Sequence, residues 1–104
     1  MSVIMLLSMA GDPDAVERYA DENRETMREI VDHAREHGLI AHRFYGRDGH
    51  LLVVDEWPDE QSFLDFFHHM QPRIGPIMQA AGVQGEPEPT FWRKLETHDE
   101  YGWS

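Results

Sequence analysis

Cysteine is absent from the 104 residues. That excludes disulfides, thiolate metal centres, iron–sulfur clusters and a cysteine nucleophile. It also fits a reducing compartment, so a cytoplasmic location is expected. Long apolar runs are missing too. Val3 to Leu7 is apolar, but a membrane-spanning helix needs about 20 such residues. No basic stretch precedes it, so it does not read as a signal peptide, and no membrane partner is expected. Positive charge is scarce: 9 basic residues stand against 20 acidic ones, for a net charge of −11. Such a chain repels phosphate backbones, which excludes nucleic acid as a partner. The acidic surplus reads as a solvated surface that keeps the chain soluble. No Gly-rich phosphate loop follows a strand, so no nucleotide or flavin motif is present. The hydroxyl residues lack a nucleophile-elbow context.

What remains is enough for one folded domain. Hydrophobic residues make up 40% and aromatics 11%, which argues against disorder. A chain of this length buries about two-thirds of its unfolded surface. Ser2 to Met9 is almost continuously apolar and too short for a buried helix, so it reads as a strand. Asp12-Pro13-Asp14 then opens a helix, with Asp12 as N-cap. The helix is expected from Pro13 to His37 and stops at Gly38. Val16, Ala20, Met27, Ile30, Val31 and Ala34 recur at spacings of three and four and form one buried face, with Asn23 on the same stripe. An amide there needs a partner.

Leu39 to Tyr45 and His50 to Trp57 read as two strands joined through Gly46-Arg47-Asp48-Gly49. Pro58 ends the second strand, and Asp59-Glu60 opens another helix. Phe63, Phe66, Phe67, Met70, Ile74, Ile77, Met78 and Ala81 keep one face of it. Pro72, Gly75 and Pro76 cannot sit in an unbroken helix, so two short helices in line, with a kink or short loop near Gln71 to Pro76, are expected. Glu88 to Leu95 is the fourth strand. The single domain is expected over 1–96 and a polar tail over 97–104.

The order strand, helix, strand, strand, helix, strand defines an α+β fold. It predicts a ferredoxin-like βαββαβ unit with a four-stranded antiparallel sheet and both helices on one face. The hairpin places Ile40, His42 and Phe44 on a face with Leu51, Val53, Asp55 and Trp57, and His42 opposite Val53. The other face holds Ala41, Arg43, Tyr45, Leu52, Val54 and Glu56. Both faces are part apolar, which points to a sheet packed on a second copy of itself.

Three groups on the first face can carry chemistry. His42 falls diagonal to Asp55, within side-chain reach. An imidazole beside a carboxylate is an oriented general base. Trp57 ends the same strand, and its indole N–H needs an acceptor when buried. Asn23 would look down on this face from the first helix, and Phe63 and Phe67 would wall it. The arrangement reads either as a pocket or as a satisfied buried polar pair. No metal site is expected. His33 and His37 are four apart but lack a third ligand, and His68 and His69 project about 100° apart on their helix.

The chain resembles the antibiotic biosynthesis monooxygenase-like proteins of the dimeric α+β barrel superfamily. More narrowly, it resembles their small actinobacterial members. Three stretches carry the resemblance: His37-Gly-Leu-Ile-Ala-His-Arg-Phe-Tyr-Gly46, Val53-Val-Asp-Glu-Trp-Pro-Asp-Glu-Gln-Ser-Phe63 and Glu88-Pro-Thr-Phe-Trp-Arg-Lys-Leu95. A tryptophan ending the third strand, with an aromatic six residues on, is the recurring feature. The resemblance implies a homodimer whose two sheets close an eight-stranded barrel, each subunit keeping a pocket between sheet and helices. It also implies oxygenation of aromatic or polyketide-like substrates with O2 and no cofactor, at a site that includes Trp57. Haem-degrading relatives share that tryptophan and place a ligating histidine late in the second helix. The matching position here is near Pro76, so haem is a remote alternative, as a ligand of a non-enzymatic hydrophobic binder. A structural dimer without catalysis is the remaining alternative.

Overall fold

The structure is a computed structural model and describes residues 1–103. Ser104, the last residue of the expected tail, lies outside the described residues. The elements are β1 (Val3–Ala10), α1 (Pro13–Glu22), α2 (Arg24–Glu36), β2 (Ala41–Arg47), β3 (His50–Trp57), α3 (Glu60–His69), α4 (Gln71–Ala80) and β4 (Pro89–Trp92). The strands form one antiparallel sheet in the order β2-β3-β1-β4. This is the ferredoxin-like α+β fold that the element order predicts.

The pleat sorts the strand residues. Met5, Leu7, Met9, Leu51, Val53 and Trp57 are buried beneath Val16, Ala34, Phe63 and Phe66 of the helices. Each such side chain contributes about 1.5–3 kcal/mol when fully removed from water. The opposite face carries Ile4, Leu6, Leu52 and Val54, all half-buried, with Tyr45 and Trp92 exposed at its two edges. It is an apolar face with no helix of this chain over it.

Local chemistry sets the boundaries. The Asp12 carboxylate caps α1 by accepting from the Asp14 N–H at 3.0 Å. The first helix does not run unbroken to His37 as its periodicity predicts. It breaks at Asn23, which leaves helical geometry at φ −134°, ψ 45°. The Asn23 backbone N–H turns to the Ala20 carbonyl at 3.3 Å, and its side-chain amide donates instead to the Tyr19 carbonyl at 2.9 Å. A carboxamide competing with its own backbone is a known way to interrupt a helix. α2 then ends through Gly38, whose φ of 103° is costly for any residue with a Cβ.

The second long helix divides into two as expected, with the break at Met70, at the start of the expected stretch. Pro72 falls in the first turn of α4, where its missing N–H costs nothing, and the helix continues through Pro76. β4 is shorter than the expected Glu88 to Leu95. Its register pairs Trp92 with Ile4, which puts Arg93 opposite Val3 at the start of β1, so residues beyond Arg93 have no strand to meet.

Candidate functional site

The hairpin turn is two residues long. Arg47 pairs with His50, and Gly49 supplies the left-handed φ of 72°. This moves the expected register by two residues. His42 lies directly opposite Asp55, not opposite Val53. A two-residue shift preserves the face, so the same side chains still meet.

They meet as a chain of hydrogen bonds. His42 Nδ1 lies 2.6 Å from Asp55 Oδ1, and Trp57 Nε1 donates to Asp55 Oδ2 at 3.0 Å. Asp55 is the one buried charged residue among the described residues, at 5% exposure. No Lys or Arg pairs with it there. A carboxylate is acceptor-only, so both bonds reach it from N–H donors, and each oxygen has its own. That assignment puts the proton of neutral His42 on Nδ1 and leaves the Nε2 lone pair free. The His42 side chain is 27% exposed, while Trp57 is fully buried. Polarity therefore runs from a closed interior to an accessible imidazole.

His42 sits on the wall of a cavity of about 100 Å³ between the sheet and the helices. The floor is buried: Met5, Leu7, Leu51, Phe63 and Phe66. Met27, Val31, Leu39 and Phe44 line it too and are partly exposed, so the cavity opens toward β2 and α2. Phe63 and Phe67 stack with ring centres 5.2 Å apart, and the Trp57 ring packs behind on Phe63 and Phe66 at 5.7 and 5.5 Å. α3 holds these rings through its cap. Asp59 accepts from the Ser62 N–H at 2.8 Å and the Ser62 hydroxyl at 2.9 Å. Those bonds, the backbone one first, hold its carboxyl below the usual value of 3.8.

The structure thus brings His42, Asp55 and Trp57 together, and sets His42, Phe63 and Phe67 around one cavity. Trp57 and Asp55 stand behind the wall rather than in it. Asn23 is not brought to the site. Its amide is committed to Tyr19 at the helix break, and it does not line the cavity. Sequence reasoning passed over Met27, Leu39 and Phe44 as site residues. Phe44 was findable, since it shares the face of His42 two positions on.

His68 and His69 are exposed on α3 and do not line the cavity. His37 lies near His69, with ring centres 6.0 Å apart, but its Nδ1 is engaged by the His33 carbonyl at 3.0 Å. Among the described residues no three His, Cys, Asp or Glu side chains could hold a metal ion. No described helix is long and apolar enough to cross a membrane.

No protein-family model matches the sequence, and no curated protein matches it either. Solved structures do. A conserved protein from Methanosarcina mazei Go1 is similar over 91% of this chain and 94% of its own, at 18% identity and a TM-score of 0.64. An antibiotic biosynthesis monooxygenase is similar over 92% of this chain and 100% of its own, at 16% identity and a TM-score of 0.61. SnoaB, a cofactor-independent oxygenase from Streptomyces nogalater, is similar over 95% and 98%, at 16% identity and a TM-score of 0.58. At these identities the likeness establishes the ferredoxin-like fold that the chain shares with these oxygenases. Chemistry must be argued from the site.

Proposed function

We propose that the protein is a cofactor-independent monooxygenase of the antibiotic biosynthesis type, acting on a phenolic or polyketide-like aromatic substrate. The observation that carries this reading is the Trp57–Asp55–His42 hydrogen-bond chain ending at the wall of an apolar cavity. The cofactor-independent oxygenase activity of SnoaB supports it. His42 Nε2 accepts the phenolic proton, and Asp55 acts as a positioning residue that fixes the imidazole tautomer. The phenolate passes one electron to O2, and the radical pair joins at a ring carbon, ortho or para to the oxygen, that carries a hydrogen. The resulting peroxide takes the proton back from His42. Loss of water from that C–H hydroperoxide leaves a quinone. O2 is the only oxidant, and one of its oxygens leaves as water. Phe63 and Phe67 flank the ring, and an apolar wall keeps water from the intermediate.

The same reading treats residues 1–96 as the functional domain. It pairs two copies through the sheet face of Ile4, Leu6, Leu52 and Val54, which no helix covers. The narrower likeness to actinobacterial members rests on sequence alone.

The test is O2 uptake in the presence of a chelator, with hydroquinone and anthrone as probes. His42→Ala is expected to lower kcat by about 100-fold or more, the usual worth of a general base. Undiminished turnover in His42→Ala would remove the base. A second reading, a non-catalytic binder of a hydrophobic ligand, is favoured by the hydrocarbon walls of the cavity. It predicts retained ligand mass in native mass spectrometry with no O2 consumed by any probe.

A further inference from the structure

We infer that the substrate is a neutral, single-ring phenol or hydroquinone, held by one hydroxyl at His42; this rests on the oxygenase reading above. Size is the first argument. The cavity measures about 100 Å³. A dry core cavity of about 150 Å³ takes one benzene, and sites for drug-sized ligands run from about 300 Å³ upward. One aromatic ring fits with a small displacement of Met27 and Met78, whose unbranched side chains adapt readily. Three or four fused rings do not fit without parting the helices from the sheet.

Polarity is the second argument. Among the described residues His42 alone brings a polar side chain to the cavity wall. Its Nδ1 is held by Asp55, so it offers one hydrogen-bonding atom, Nε2. A substrate buried here can satisfy one hydroxyl at His42. Every further polar group facing hydrocarbon gives up its hydrogen bonds to water without replacement. Charge is the third. No Lys or Arg lines the cavity, and the chain carries a net charge of −11. A carboxylate or phosphate on the substrate would meet no cation inside and repulsion outside. A second hydroxyl is tolerated only where it reaches the partly exposed mouth at Phe44 and Leu39.

The test follows the methyl resonances of Met27 and Met78 in the full chain labelled at the methionine methyl groups. The probes are 4-methylphenol, benzoate, 1-naphthol and anthrone. 4-Methylphenol is expected to move both resonances saturably. Benzoate, 1-naphthol and anthrone are expected to bind at least about tenfold more weakly, a difference of about 1.4 kcal/mol. Anthrone or 1-naphthol moving both methyls as readily as 4-methylphenol would overturn the one-ring limit. Benzoate doing so would overturn the neutrality. Failure of 4-methylphenol to move either would overturn the site. O2 uptake separates this inference from the reading beneath it. Single-ring probes that bind without O2 uptake sink the oxygenase and leave the size limit standing. Oxygenation of anthrone does the reverse.

Discussion

Replacing Asp55 by Asn should invert the tautomer of His42. The carboxylate now accepts from two N–H donors, Trp57 Nε1 at 3.0 Å and His42 Nδ1 at 2.6 Å. An amide of the same shape has one accepting oxygen and one donating nitrogen. The two neighbours compete for that oxygen, and burial decides the winner. Trp57 is fully enclosed, so an unpartnered indole N–H costs the full desolvation penalty of about 1–3 kcal/mol. His42, at 27% side-chain exposure, can reach water. The amide oxygen of the variant therefore turns to Trp57, and the amide NH2 faces His42 Nδ1. That ring nitrogen must then accept, which moves the imidazole proton to Nε2 and removes the lone pair from the cavity. Trading two charge-assisted bonds for neutral ones costs about 2 kcal/mol of stability. The catalytic loss is larger: a carboxylate-to-amide change behind a catalytic imidazole costs about 10⁴-fold in kcat where it has been measured in a serine protease. Long-range nitrogen–proton correlation of the histidine rings at about pH 9, above the usual imidazole range, reads the tautomer directly and needs no substrate. The double variant Asp55→Asn/Trp57→Phe supplies the control. Without the indole donor, the amide oxygen can turn back to His42, and a tautomer mixture is expected. If Asp55→Asn leaves the proton on Nδ1, Asp55 does not position the base and the reasoning fails.

Three other outcomes can be checked on the bare protein. Asp59 is held below its unfolded value of 3.8 by Ser62, so its contribution is complete above that pH and is lost as pH falls through the folded value. Asp59→Asn keeps a capping oxygen without the titration; its stability deficit in urea melts should shrink between about pH 5 and about pH 2, and a constant deficit would contradict the linkage. Gly38→Ala meets both a φ of 103° and the Pro58 Cγ at 2.9 Å, whereas Gly49→Ala meets a φ of 72° and open space. Gly38→Ala should cost about 2 kcal/mol or more and Gly49→Ala about 1 kcal/mol by denaturant midpoint; equal costs would refute the Pro58 contact as the cause. Val54→Glu places a charge on the uncovered sheet face opposite Leu6 and Arg43; it should turn a species of twice the 12.2 kDa chain mass into one of 12.2 kDa in native mass spectrometry while the thermal unfolding remains cooperative.

The parts of this molecule that were legible in its sequence are those set by short-range rules. Strand alternation placed His42, Phe44, Asp55 and Trp57 on one face, and that survived a register error because the error was two residues. Asp12 and Asp59 announced their helices by capping chemistry. The break at Asn23 was harder to read, since the same residue fits the buried stripe and the outcome turns on a side-chain bond to Tyr19. Pro76 misled in the other direction: a proline inside a helix costs a hydrogen bond, but the packing of Ile77 and Met78 holds α4 through it. The cavity itself was out of reach. Its size depends on how far Met27 and Met78 stand from the sheet, which no spacing rule encodes. The Asn23 amide stands away from the cavity for the same reason that its helix breaks: it is bonded to the Tyr19 carbonyl.

The proposed base and its anchor live on strands of unequal security. Asp55 and Trp57 belong to β3, flanked by β1 on one side and β2 on the other. His42 belongs to β2, an outermost strand exposed from Ala41 to Arg47. Outermost strands open at lower free energy than the interior of a sheet, and local opening needs no global unfolding. Every such excursion carries the imidazole away from its carboxylate while the helices and β3 stay in place. Denaturant should therefore silence the protein before it unfolds it. Amide exchange along β2 would count how often the site is switched off in water.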